Sequence, residues 1–217
     1  MKKYLDFTTS NDIDIIGYYP QVSNTENNLF GSPFAPKRIN YGEIPEEIPH
    51  LELQFNKNTK VTDLLSTYNP YFGFLVSERL EKIISSFHLP PHKFYPIKII
   101  RGDHMLNYFW FNFFDNLFDF IDLKKSTIEI YHKFNFNVLD TLSIDSEENL
   151  KKINSNLDFE KSIRLKELFF NANFPNYDII TNNIMGSGNF ISEALRDSLN
   201  ENNITGFLAI PTDVIVR

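Results

Sequence analysis

Two stretches of the chain place apolar residues at helical spacing: Leu80, Ile83, Ile84 and Phe87 in the first, and Ile191, Leu195 and Leu199 in the second. Each stripe follows a serine and a glutamate, Ser77-Glu78 and Ser192-Glu193. That order suits a hydroxyl capping an orphan amide with a carboxylate at the positive end of the helix dipole. The first predicted helix stops before Pro90-Pro91, and the second fades into Asn202-Asn203 ahead of Gly206. A predicted strand follows each, over residues 93–101 and 207–216. Residues 105–114 carry Tyr108, Phe109, Trp110, Phe111, Phe113 and Phe114, a run apolar on both faces that suits a strand covered on both sides. Trp110 is assigned to the core. Residues 127–134, 136–142, 164–170 and 177–181 are further predicted strands, and 146–153 a polar helix.

The two helical stretches are copies of one unit. Gly73-Phe74-Leu75-Val76-Ser77-Glu78-Arg79-Leu80 falls without a gap on Gly188-Asn189-Phe190-Ile191-Ser192-Glu193-Ala194-Leu195. The same register then pairs Ile84 with Leu199, Leu89 with Ile204, Pro96 with Pro211 and Ile100 with Ile215. The spacing predicts repeat units near 73–100 and 188–215. Ahead of them, residues 4–7, 13–19 and 51–55 read as strands, while 21–49 contains Pro33, Pro36, Pro45 and Pro49. We expect an irregular N-terminal arm over residues 1–70, either draped on the main sheet or presenting a binding surface, and a main domain over residues 71–217. The expected fold class is α+β, a mostly antiparallel sheet with a few packing helices and a duplicated helix-strand unit.

The chain of 217 residues has a formal net charge of -7 and no cysteine. Disulfides, a thiol nucleophile and Cys-ligated metals are thereby excluded. The charge disfavours nucleic acid, whose binding depends on lysine and arginine neutralising phosphates, and suits a basic protein partner. No apolar run approaches the roughly 18–20 residues of a membrane span, and Met1-Lys2-Lys3 leads into Tyr4-Leu5-Asp6 and not into a signal stretch. A cytoplasmic protein without membrane contact is expected.

Chemical motifs are sparse. Gly186-Ser187-Gly188 lacks the third glycine and later acidic residue of a dinucleotide site and is read as a turn. His88 and His92 are separated by Pro90-Pro91, which breaks any helix that would align them for zinc. Asp115, Asp119 and Asp122 would line one face if that segment were helical. The paired Ser-Glu dipeptides serve as caps, since an active site rarely needs its acid-base pair twice. No metal, cofactor or catalytic residue is expected, and the chain is not read as an enzyme.

Several segments carry a family resemblance. They are 74–80, Phe94-Tyr95-Pro96-Ile97, 108–110, Ile121-Asp122-Leu123-Lys124-Lys125-Ser126, 190–195 and Ile204-Thr205-Gly206-Phe207. Together they resemble the immunity protein 11 family, with the immunity protein 43 group next, over about residues 70–217. Ala194 departs from the arginine or lysine common after Ser-Glu. The resemblance implies a protein that binds and neutralises a cognate bacterial toxin domain in the cytoplasm, encoded beside it in a polymorphic toxin system. An acidic inhibitor would suit a basic toxin cleft. The expected contacts are Asp115, Asp119 and Asp122, then Asp145, Glu147 and Glu148, and in the arm Glu43, Glu46 and Glu47. Two alternatives remain: a peptide-binding or scaffolding module using an exposed sheet edge, and an enzyme using His92, Asp103 or His104 in a cleft between the repeats.

Overall fold

The computed structural model describes residues 2–30, 39–68, 70, 72–181, 188–212 and 214–216. In chain order these form β1 (Tyr4–Thr9), α1 (Ile13–Ile16), β2 (Val22–Asn24), β3 (Leu53–Phe55), β4 (Leu64–Leu65), β5 (Phe74–Ser77), α2 (Glu78–Ile84), β6 (His92–Arg101) and β7 (His104–Phe113). They continue with β8 (Thr127–His132), β9 (Val138–Ser143), α3 (Glu147–Asn156), β10 (Lys161–Leu168), β11 (Ile179–Thr181), β12 (Asn189–Ser192), α4 (Glu193–Glu201), β13 (Phe207–Pro211) and β14 (Ile215–Val216). The strands make three sheets, ordered β11-β12-β1-β13, β2-β3-β6-β7-β5-β4 and β14-β10-β8-β9. Within these sheets all pairings are antiparallel except β3 with β6 and β10 with β14. The fold is α+β and mostly sheet, as the hydrophobic pattern predicts.

The duplicated unit extends beyond the segments that the sequence aligns. In one copy Leu64 pairs with Val76 and Leu65 with Leu75; in the other Ile179 pairs with Ile191 and Ile180 with Phe190, the same register. β7 then lies between β5 and β6, with Phe109 opposite Val76 and Pro96. In the second copy β1 fills that place, with Leu5 opposite Ile191 and Pro211. The first unit is thus continuous from β4 to β7, whereas the second takes its last strand from the start of the chain. Matching side chains keep matching bonds: the buried Tyr108 hydroxyl donates to the Thr62 carbonyl and the buried Tyr4 hydroxyl to the Tyr177 carbonyl, both at 2.7 Å. Burial raises both phenol pKa values well above their ordinary range, so each stays a neutral donor.

The units face each other across one core. Phe74, Val76, Leu80, Ile84 and Phe111 from the first meet Phe7, Ile179, Ile191, Leu195 and Leu199 from the second. The caps behave as predicted, with the Ser77 hydroxyl accepting from the Leu80 amide and the Ser192 hydroxyl from the Leu195 amide, each at 3.1 Å. The outer face of β5–β7 packs Leu75, Tyr108 and Trp110 against Val22, Phe30, Leu51 and Leu53. The outer face of the sheet containing β1 packs Tyr4, Ile180 and Phe190 against Ile128, Ile163, Leu165 and Leu168 of the third sheet. Trp110 is fully buried, with its indole N–H donating to the Phe72 carbonyl at 2.9 Å.

Local features differ from the sequence expectation. Residues 13–19 contain a short helix and not a strand, because the Asp12 carboxylate caps the Asp14 amide at 2.8 Å and Gly17, at φ +79°, ends the turn. Residues 207–216 are two strands in different sheets, parting after Pro211. The segment bearing Asp115, Asp119 and Asp122 makes only a 3-10 turn, Leu117–Phe120. Its backbone is drawn outward instead, with the Asn171 amide on the Phe120 carbonyl and the Asp122 amide on the Phe169 carbonyl, both 2.8 Å. Gly186, Ser187, Pro33 and Pro36 lie outside the described residues.

Candidate functional site

The third sheet presents an open surface. β9 is its terminal strand, and of its six residues only Leu142 is partly buried. The β8–β9 connection projects Phe134 and Phe136, 69% and 64% exposed, and β9 adds Val138 and Leu139. The turn before β10 brings Phe159, 75% exposed, close by, because the Lys133 amide donates to the Glu160 carbonyl at 2.8 Å. Exposed apolar side chains gathered at one end of a sheet are a feature of recognition surfaces.

The tip has a defined shape. Phe136 adopts a left-handed backbone, φ +59°, a conformation costing roughly 1–2 kcal/mol for a residue with a side chain. Its amide donates to the His132 carbonyl at 2.8 Å, and its ring stacks on Tyr131 at 6.2 Å and 12°. The Arg164 guanidinium lies 4.9 Å from the Tyr131 ring centroid and bonds Glu129 through Nε and Nη2 at 3.1 and 3.0 Å. The Tyr131 ring is therefore held by Arg164 of β10, which Glu129 on Tyr131's own strand β8 fixes in place.

Acidic groups surround this edge. Residues 129–168 hold eight carboxylates and six lysines and arginines, net -2 of the chain's -7, with Glu129 and Asp158 paired to cations of β10. Asp145, Glu147 and Glu148 stand at the start of α3, directly after β9. Asn149 donates to Asp145 at 2.9 Å and, with the local amides, holds its carboxyl below the usual range; Glu147 pairs with Lys151 at 2.5 Å.

The other predicted residues sit on two further elements. Asp115 accepts from the Tyr177 hydroxyl at 2.8 Å, and burial together with that carboxylate pushes the Tyr177 phenol up to about 12. Asp119 is exposed on the 3-10 turn, and Asp122 pairs with Lys125 at 3.0 Å, which lowers its pKa. Glu43 accepts from the Asn40 amide at 3.1 Å, Glu46 pairs with Lys93 at 2.7 Å, and Glu47 is exposed. The structure thus spreads the nine carboxylates over three places: a loop lying against β6 and β7, the turn after β7, and the end of the third sheet. The aromatic tip escaped the sequence reading, although Phe134-Asn135-Phe136-Asn137 carries a usable signal: large rings interleaved with turn formers.

The residues weighed for an enzyme do not converge. His92 opens β6 and bonds the Pro90 carbonyl through Nδ1 at 2.8 Å, while Asp103 and His104 lie at the β6–β7 turn. Nine strand steps separate the two ends, about 30 Å. Between the repeats lies the packed core. Among the described residues no group of three or more histidines and carboxylates is placed to hold a metal ion, and no helix is long and apolar enough to cross a membrane.

The fold and this surface define an α+β domain built on two facing repeats, with an apolar, acid-rimmed edge suited to protein recognition. The model of the immunity protein family (Imm11) matches residues 5–209. The chain belongs to that family. A search of curated proteins finds no match to it.

Proposed function

We propose that this chain is an immunity protein that binds a cognate toxin domain of a polymorphic toxin system in the cytoplasm and neutralises it by occupying an essential surface. The family match over residues 5–209 carries the reading. The net charge of -7 supports a basic partner surface, toward which the carboxylates steer the encounter. Asp145, Glu147 and Glu148 stand beside the apolar edge; Asp115, Asp119 and Asp122, and Glu43, Glu46 and Glu47, supply the wider field. Inhibition is by binding and requires no chemistry from this chain.

The test is co-expression with the toxin domain encoded beside it. Restored growth together with a stable co-purified complex is the expected result. A toxic neighbour that this chain neither binds nor restrains would overturn the reading.

A further inference from the structure

From the geometry of the third sheet we infer that β9 receives an extended strand of the basic toxin partner, which lengthens the sheet by main-chain pairing while Phe134 and Phe136 grip its side chains. The inference rests on the immunity reading and names the surface and mode of recognition.

The backbone register carries the first step. The Ile144 amide donates to the Ser126 carbonyl, and the ladder continues with Ile128 opposite Leu142 and Ile130 opposite Asp140. Antiparallel ladders alternate between residues that exchange hydrogen bonds and residues that do not. The amides and carbonyls of Thr141 and Ser143 therefore face away from β8, toward the open side. One local bond guards this edge, from the Thr141 amide to the Asp140 carboxylate at 2.8 Å. An arriving amide or carbonyl ladder replaces it with intermolecular pairs.

Three observations select the occupant. Exposed edges are commonly blunted by proline, bulges, inward charge or a covering loop, yet among the described residues β9 lacks a strand on its outer side and contains no proline, and its one register shift, between Val138 and Asp140, lies before the regular stretch Asp140–Ser143. Second, the tip holds a phenylalanine in a left-handed conformation with its ring exposed, where asparagine or glycine would be more stable; strain retained at a surface points to use there. Third, Asp140, Asp145 and Glu148 are exposed along the same edge, and residues 129–168, which include the cations of β10 that pair with Glu129 and Asp158, still carry a net charge of -2. That charge repels a second copy of this chain and attracts a strand flanked by lysine or arginine.

The experiment measures binding of the catalytically inactivated toxin domain to Thr141→Pro, Ser143→Pro and Phe136→Gly variants of the full chain, with thermal unfolding as control. Proline removes an outward donor and leaves the β8 pairing intact. We expect about tenfold weaker binding for each proline variant, with Thr141→Val, which keeps the amide, close to wild type. Phe136→Gly should bind more weakly while melting at or above the wild-type temperature. Should proline unfold the hairpin, hydrogen exchange on the wild-type complex reads the same point, as new protection of the Thr141 and Ser143 amides. Wild-type affinity in folded proline variants, or no new protection, would overturn strand addition and leave the immunity reading standing. No toxin binding by the wild-type chain would remove both. A dimer in light scattering that the proline variants convert to monomer would give the edge to a second copy and overturn the inference.

Discussion

Asp63→Asn keeps the volume of the side chain and removes its charge. The carboxylate accepts from the Ser77 hydroxyl at 2.8 Å, Arg79 Nη2 at 2.7 Å, the Thr205 amide at 2.9 Å and the Thr205 hydroxyl at 3.1 Å. It therefore ties the cap of α2 in one unit to the segment leaving α4 in the other. An asparagine offers one acceptor oxygen and turns an N–H₂ toward donors. Hydrogen bonds to charged groups contribute about 1.5–3 kcal/mol each, and a donor left unpaired costs a further 1–3; since Arg79 can return to water, we expect a net loss of about 3 kcal/mol. For a chain of this size that lowers Tm by roughly 6–12 °C. Urea unfolding at pH 7 measures the loss. Burial by itself would raise the Asp63 pKa, but Arg79, Thr205 and Ser77 outweigh it and hold the carboxyl below its ordinary value. A depressed folded-state pKa stabilises the fold above the unfolded carboxyl value near ~4 and loses that contribution as pH falls through the folded value. The gap between wild type and variant should therefore shrink below about pH 4. A gap under ~1 kcal/mol at pH 7, or one that stays constant down to pH 2, would refute the claim that this charge fastens the two units.

Asp178 plays the matching part in the second unit, accepting from the Ser192 hydroxyl at 2.6 Å, the His88 amide at 3.1 Å and Lys2 Nζ at 2.7 Å. Since Ala194 occupies the position of Arg79, Lys2→Ala should cost about 1 kcal/mol, and adding Ala194→Arg should restore most of it; a double variant no better than the single one contradicts the equivalence. Leu80→Ala, at a fully buried site in the shared core, should destabilise by about 2–5 kcal/mol in urea unfolding. Reversing Asp145, Glu147 and Glu148 together should slow association with the toxin and flatten its salt dependence, measured by stopped flow or surface resonance; unchanged rates would detach these residues from steering.

Much of this architecture was legible because it is local. Ser77 and Ser192 announce two helix starts, the stripe from Leu80 to Ile84 gives the buried face of α2, and the run from Tyr108 to Phe113 gives a strand buried on both sides. The second unit's last strand was not legible as such. Tyr4 corresponds to Tyr108, but a strand supplied from the opposite end of the chain breaks the order that sliding a sequence against itself depends on. Asp63 and Asp178 escaped for a different reason: each is an isolated polar residue ahead of the aligned segments, and its significance lies in what folds against it. The acidic candidates show the same limit. Composition counts carboxylates, whereas their availability depends on partners such as Tyr177 for Asp115 and Lys93 for Glu46. Periodicity likewise marks 136–142 as a strand without telling an edge from a centre, since that depends on which neighbours arrive.

The pairing of units also explains why the third sheet is the one left with an open edge. Each unit gives one face of its sheet to the shared core and must cover the other. On one side residues 21–30 and 39–55 do this, with Phe30, Leu51 and Leu53 packed on Trp110 and its neighbours. On the other side the cover is itself a sheet, held by Ile128, Ile163, Leu165 and Leu168. A covering sheet needs only its inner face, and its last strand needs only one edge. β9 gives Leu142 to the packing and leaves the side chains of Val138, Leu139, Thr141 and Ser143 exposed. Substitutions there change the outer surface while Asp63 and Asp178 keep the units fastened, so the hairpin can vary without disturbing the core that supports it.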